Sequence, residues 1–221
     1  NTHHRTTYIW QMRWKIAQWF EQRWWKSYLA DKNPQDYLDW KKSYWKVFIA
    51  KLDLEHPNEK AILDAGCGPA GIFIHLEGNQ VTATDPLIDG YEKHLDHFNK
   101  SNYPWADFHQ QTLEEINFNE TFDLVYCLNV INHVKDIDRS YDNLISAIKP
   151  GGTLILSIDS HNYMLPKLLF RFLPLDILYP HQFTLKEYER HLTERGLKIL
   201  RSVKIKSGFL FDYYAIVSEK L

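Results

Sequence analysis

The sequence predicts an α/β protein: a doubly wound sheet of about seven strands, mostly parallel, preceded by a helical arm. Three observations carry this expectation. From residue 61 onward, short apolar runs alternate with helix-length segments, the order that places helices on both faces of a parallel sheet. The first of those runs ends in Asp64 and meets Gly66, Gly68 and Gly71 at the spacing G-x-G-x-x-G. The length of 221 residues, 44% hydrophobic and 24% charged, suits one such domain with an appendage. Residues 1–54 read as the arm and residues 55–221 as the domain, with an insertion at 159–183.

The arm begins with a helix expected over 8–30. Ile9, Met12, Ile16, Phe20 and Trp24 recur near helical spacing, and no Gly or Pro interrupts. Asn33-Pro34 punctuates, with Pro34 suited to the first position of a second helix running to about Leu52. Tyr37, Trp40, Tyr44, Phe48 and Lys51 lie three or four apart along it. Seven of the eight tryptophans fall in these two helices, and residues 1–51 carry ten Lys/Arg against four Asp/Glu. The overall net charge of -2 favours no polyanion, because the domain is acidic. The arm is therefore read in three ways: packing on the domain, a lid over a substrate pocket, or contact with a membrane interface or nucleic acid.

In the domain, strand one is expected at 61–65, followed by a short helix from Gly71 to about Glu77. Strand two, Val81 to Thr84, ends in Asp85. A helix at 88–100, a strand at 105–109 and a strand at Phe122–Leu128 come next. A helix at 138–148 leads into the turn Lys149-Pro150-Gly151-Gly152. Strand five, Thr153 to Ile158, is β-branched and apolar. A helix at 184–195 opens on Thr184 with Glu187 three residues on, a capping-box spacing, and closes at Gly196. Two last strands, 197–205 and 210–218, read as a terminal hairpin whose antiparallel strand ends a Rossmann-like sheet. Such sheets bind ligands at the carboxyl ends of strands flanking the switch point.

Gly66 and Gly68 let backbone approach a ligand where a Cβ would clash. Asp64 beside them suits a cationic or hydroxyl-rich ligand and would repel a pyrophosphate. Asp85, nineteen residues after Gly66, stands where an acidic side chain accepts hydrogen bonds from both hydroxyls of a ribose. Its bland alternative is a helix cap. Cys67 and Cys127 have neither disulfide nor zinc spacing and read as small buried hydrophobes. The chain opens on Asn1 rather than Met, so a trimmed start is expected. Nothing resembles a signal peptide, no apolar run has the length of a membrane span, and a cytoplasmic location is the expectation.

The run Asp64-Ala65-Gly66-Cys67-Gly68 with Gly71 resembles motif I of the class I S-adenosylmethionine-dependent methyltransferases. Residues 61–160 are similar to one branch of that family, the O-methyltransferases of ubiquinone biosynthesis. The likeness rests on Gln111-Thr112-Leu113-Glu114-Glu115, on Phe122 through Val134, and on Lys149-Pro150-Gly151-Gly152. It implies S-adenosylmethionine as cofactor, with S-adenosylhomocysteine as product. It also implies contacts from Gly66, Asp85 and Leu128, with Gln111, Thr112 and Leu113 bordering the adenine. Asp64, Cys67, Gly68, Pro86 and Asn129 complete the candidate cofactor set. The family has an Arg some twenty residues before motif I that reaches the cofactor; here that register falls near Trp45 and Lys46.

His133 stands in the family's Glu-His-Val position and is the candidate catalytic residue, because imidazole can deprotonate a hydroxyl near neutral pH. Its alternative role is orienting the loop after strand four. The acidic residues that would flank it are replaced by Asn129 and Asn132. Two neutral amides suit a hard divalent cation poorly, so no metal is expected and catechol chemistry is disfavoured. Segment 159–183 is apolar and broken by three prolines. It can wall a hydrophobic pocket, dip into a membrane, or pack on the arm. With Asn132, its residues His161, Tyr163 and His181 are the candidate substrate contacts.

The expected function is methyl transfer to a small, hydrophobic or aromatic acceptor, with O-methylation favoured. Methylation of tRNA or protein is the alternative enzyme reading, and a non-catalytic binding module the alternative class. Nucleic acid is disfavoured: Leu128-Asn129-Val130-Ile131 stands where an Asn/Asp-Pro-Pro-Tyr motif would mark many base methyltransferases.

Overall fold

The computed structural model describes residues 18–161, 183–208 and 211–221. Its strands are β1 (Ala61–Ala65), β2 (Gln80–Thr84), β3 (Ala106–His109), β4 (Phe122–Leu128), β5 (Ile148–His161), β6 (Leu197–Lys206) and β7 (Phe211–Lys220). They form one sheet in the order β3-β2-β1-β4-β5-β7-β6. β1 to β5 are mutually parallel, and β7 runs antiparallel to both β5 and β6. The antiparallel strand is thus the last in sequence, but it lies one place in from the sheet edge. The order reverses between β1 and β4, so their carboxyl ends flank the switch point.

The helices follow from their caps. Residues 18–29, α1, are helical. α2 (Pro34–Lys51) starts where the Asn33 side chain accepts from the N–H groups of Gln35 and Asp36, with Pro34 in its first turn. α3 spans Ile88–His94 and α4 Ile137–Ala147, the latter capped by Asp136 on the Arg139 N–H. α5 (Leu185–Thr193) carries the complete Thr184/Glu187 capping box.

Three expected elements come out differently. The segment after the glycine turn is a single 3₁₀ turn, Ile72–His75. α3 stops at His94 because Leu95 turns extended, sending Leu95 and Phe98 into the core. β5 is longer than expected at both ends. Its start takes in Lys149-Pro150-Gly151-Gly152 as an irregularity in the β4 pairing, where Gly151 has φ +73° and a Cβ on Gly152 would lie 2.7 Å from Ile148 Cγ2. Its end continues past β4 by pairing with β7 as far as His161.

Alternate strand residues face two separate cores. On one face Ile62, Tyr126, Ile155 and Val217 pack with Phe48 and Leu52 of α2 and with Ile72 and Phe73. On the other, Leu63, Val125, Leu156 and Ile216 pack with Tyr141 and Leu144 of α4 and Tyr188 of α5. Each such aliphatic or Phe side chain contributes roughly 1.5–3 kcal/mol on full burial. Both cysteines are free and buried, as expected.

Candidate active site

The glycine turn joins β1 to the 3₁₀ turn at the switch point. Gly66 and Cys67 donate their N–H groups to the Thr84 carbonyl at 2.7 and 3.0 Å, which presses the turn against the end of β2. Gly66 has φ +74°, and a Cβ there would fall 2.5 Å from both γ-carbons of Val130. Glycine is therefore required by conformation and by contact with the loop after β4. At Gly68, φ +59°, a Cβ would meet Trp25 Cζ2 of α1 in ordinary contact at 3.9 Å, so α1 lies over the turn.

Asp64 is almost wholly buried. Its Oδ2 accepts the Phe73 N–H at 3.0 Å, and the Ile72 N–H also bonds the carboxyl. It thus caps the turn that follows the glycines. A Cβ on Gly71 would lie 2.3 Å from the Cys67 carbonyl oxygen and 2.7 Å from this carboxylate oxygen, so that position has no room for a side chain either. Burial raises the Asp64 carboxyl to about 7, opposed by those amides and by Lys41. Lys41 belongs to α2 and lies over Trp45, with its Nζ 4.7 Å from the ring centroid. Burial lowers its ammonium to about 8, and the charge of Asp64 acts the other way. Trp45, in the register where the resemblance would put an Arg, donates its indole N–H to the Ala70 carbonyl at 3.1 Å. The cation near the turn comes from Lys41, one helical turn earlier. Sequence reading missed it because the side chain's direction depends on how α2 docks.

Asp85 closes the other side. Its Oδ2 accepts the Gly68 N–H at 3.0 Å and its Oδ1 the Leu87 N–H at 2.8 Å. It therefore caps the start of the next segment, the alternative role expected for it, and ties that segment to the glycine turn. Pro86 follows it. Burial raises the Asp85 carboxyl to about 7, and the nearby Glu21 of α1 adds to the rise. Glu21 accepts from Tyr91 at 3.4 Å, while Trp25 meets the Tyr91 ring edge-on at 6.4 Å. Gln22 lies so close to Gly90 that a Cβ there would be 2.0 Å from its Nε2. α1 thus rests on α3 and on the glycine turn.

The third wall is the loop after β4. Leu128 ends the strand opposite Ser157, and Asn129, exposed at φ +59°, donates its N–H to the Ser157 carbonyl at 3.0 Å. Asn tolerates this left-handed conformation, which turns the chain sharply into Val130. Asn132 and His133 belong to the 3₁₀ turn Ile131–His133; Asn132 is buried and His133 half-buried. Buried Asn132 Oδ1, Thr84 Oγ1 and Gln111 Oε1 have no partner among the described residues.

The Gln111–Glu115 segment belongs to the same rim. Glu115 accepts from the Thr112 N–H at 2.9 Å, and Glu114 accepts from the Lys135 N–H at 2.7 Å. Leu113 is buried in the α4-side core and its carbonyl accepts from Asn143, which limits what it can offer a ligand. Among the described residues no three His, Cys, Asp or Glu side chains cluster to hold a metal ion. His161 closes β5, whereas Tyr163 and His181 lie outside the described residues.

With this geometry in place, likeness to known proteins becomes informative. A family described as a methyltransferase domain matches residues 37–202. The chain belongs to the methyltransferase domain family. Within that family it is 39% identical over 98 residues to a ubiquinone biosynthesis O-methyltransferase of Rickettsia canadensis, covering 43% of this chain and 41% of that protein. The same enzyme of Rickettsia conorii is 37% identical over 117 residues, covering 48% and 40%. The matched part therefore spans about two fifths of these relatives. The 1,6-didemethyltoxoflavin-N1-methyltransferase of Burkholderia thailandensis, solved with 1,6-didemethyltoxoflavin and S-adenosylhomocysteine, superposes with a TM-score of 0.63 at 13% identity over 100% of this chain and 90% of that one. The [4+2]-cyclase SpnF gives 0.61 at 13% identity, over 81% and 80%. The methyltransferase domain's fold is thus shared with a protein named for a different reaction, and activity must come from the site.

Proposed function

We propose that this methyltransferase-domain chain uses S-adenosylmethionine to methylate a small, hydrophobic or aromatic acceptor, with oxygen as the favoured nucleophile. The observation that carries the reading is the Gly66–Gly68 turn held against Asp85. A carboxylate at the end of β2 stands beside backbone that has no side chain to exclude a ligand. The unpartnered oxygens of Thr84, Gln111 and Asn132 add buried polarity to be satisfied.

When bound, S-adenosylmethionine supplies an electrophilic methyl on a sulfonium. The residues supply placement. Asp85 accepts from ribose hydroxyls. Lys41 offers a cation to the carboxylate of the methionine end, in the role that the resemblance assigns to an Arg. The turn of Asn129 would let the end of β4 line the methyl-bearing part of the cofactor. His133 on that loop takes the acceptor's proton, as imidazole does near neutral pH. α1 acts as a lid: it lies over Gly68 and Tyr91 and brings Glu21 near Asp85.

Calorimetry with S-adenosylhomocysteine tests the cofactor reading. Asp85→Ala removes hydrogen bonds to a charged group, so affinity should fall roughly ten- to a hundredfold. Unchanged affinity refutes the assignment. His133→Ala should lower turnover with a panel of phenols and alcohols while leaving cofactor affinity within about twofold.

A peripheral membrane contact is the partner reading that a specific observation favours. Trp19, Phe20, Trp24 and Trp40 are each more than half exposed, beside Arg23, Lys26 and Lys42. Exposed indoles among cations suit a lipid headgroup layer, where an apolar acceptor would be found. Among the described residues, no helix is long and apolar enough to cross a membrane.

A further inference from the structure

The turn between α1 and α2 makes a cleft that belongs to neither the cofactor set nor the acceptor set. Its volume is about 340 Å³, and Tyr28, Lys32, Asn33, Asp36, Tyr37 and Trp40 line it. Clefts of roughly 300–1,000 Å³ hold small ligands. Asp36, Tyr37 and Trp40 are three and four apart on α2, so one face of the helix presents all three. Tyr28 comes from α1 and meets the Tyr37 ring nearly at a right angle, 79°, with centroids 6.3 Å apart. The Trp40 ring follows, 5.8 Å from Tyr37 and tilted by 38°. Rings at such angles wall a cage rather than form a stack.

The cage is anchored. Buried Tyr37 packs edge-on against His97, whose Nε2 lies 3.0 Å from the Lys32 carbonyl oxygen, which ties the turn to the domain. Trp24 stacks flat on Tyr28 with centroids 4.9 Å apart and holds that ring in place. One cation already sits there: Lys32 Nζ stands 3.7 Å from the Tyr28 centroid. Asp36 is exposed, and among the described residues its carboxylate makes no hydrogen bond or ion pair. A ring face attracts a cation through its quadrupole, and several faces together suit one whose charge is spread over methyl groups. A plain ammonium must keep its hydrogen bonds, as Lys32 does by donating to the Tyr28 carbonyl. A quaternary ammonium has no N–H to satisfy.

We infer that this cage binds a trimethylammonium group, with Asp36 as its counter-charge and Lys32 as the internal cation it displaces. The inference is independent of methyl transfer. The same group heads choline lipids and occurs in free solutes, and both sources present the same chemistry to the rings.

The probes are choline and 3,3-dimethyl-1-butanol, which share a shape and differ by the charge. Each is titrated calorimetrically into wild type, Trp40→Ala, Asp36→Asn and Lys32→Met, with and without S-adenosylhomocysteine. Wild type should hold choline roughly tenfold tighter than the alcohol. Trp40→Ala and Asp36→Asn, both at exposed positions, should each weaken choline about threefold or more. Lys32→Met should tighten it about twofold or more, because the competing cation is gone. S-adenosylhomocysteine should leave choline affinity unchanged. A wild type without preference for the charged probe overturns the proposal, as does choline binding that Trp40→Ala leaves intact or that S-adenosylhomocysteine abolishes. Flotation with phosphatidylcholine vesicles then names the source. Trp40-dependent flotation that choline competes away assigns the lipid headgroup, choline binding without flotation assigns a free solute, and either result upholds the cage.

Discussion

At the residue scale, two kinds of glycine separate. Gly66 and Gly196 both have positive φ, +74° and +83°, but only Gly66 faces a neighbour that a Cβ would strike. Gly196→Ala should cost about 1–2 kcal/mol from conformation alone. Gly66→Ala adds overpacking and should cost roughly 2–5 kcal/mol and abolish S-adenosylhomocysteine binding. Paired urea melts and calorimetry check this, and equal costs would show that Val130 moves aside. Asp85 gives a pH signature. Its carboxyl is raised from 3.8 to about 7 in the folded protein, so the folded state holds the extra proton between those values. That contribution to stability is complete below pH 4 and is lost as pH rises through about 7; Asp64, raised likewise, adds to it. Asp85→Asn should flatten its share of the loss in urea midpoints from pH 4 to 8. Ligand affinity should run the other way, strengthening as pH rises through about 7 and Asp85 becomes a charged acceptor. The sequence showed Asp85 at ribose spacing, but not that it also caps Leu87 and holds Gly68, because those bonds require the two loops to meet.

At the element scale, α1 and β5 matter most. The periodicity of Ile16, Phe20 and Trp24 marks a helix, but not where the helix lies. It rests through Gln22 and Trp25 on Gly90, Tyr91 and Gly68. An edge-to-face aromatic pair is worth about 0.5–1.5 kcal/mol. Trp25→Ala should therefore speed S-adenosylhomocysteine dissociation about two- to tenfold in stopped-flow fluorescence. A packing role alone would lower the melting temperature and leave that rate unchanged. β5 shows what local rules miss. Pro150-Gly151-Gly152 reads as a turn from propensity, yet the ladder absorbs it as an irregularity at the strand's start. The far end extends only because β7 is there to pair with it. Asp159, on that extension, stood out only as part of an insertion, yet it belongs to the sheet and pairs with Tyr213.

At the scale of the whole molecule, charge and aromatics divide between two parts. Residues 1–51 are basic and hold seven of the eight tryptophans, whereas the remainder is acidic. Exposed Trp19, Trp24 and Trp40 should bind anionic vesicles with a partly salt-resistant component, since indole insertion is not screened. Binding to tRNA would fall steeply with salt. Flotation and filter-binding across a salt series decide between them, and tRNA binding at physiological salt without vesicle binding would overturn the membrane reading. The sequence by itself determined the order of elements, the glycine turn, Asp85 and the family likeness, because each rests on contacts within a few residues or on short spacings. Tertiary structure alone decided that Lys41 approaches Asp64, that α1 covers the glycine turn, and that Tyr44, Ser157, Asp159 and Tyr213 converge. Those groups come from α2, β5 and β7, up to 169 positions apart, and only the sheet order and the docking of α2 bring them together.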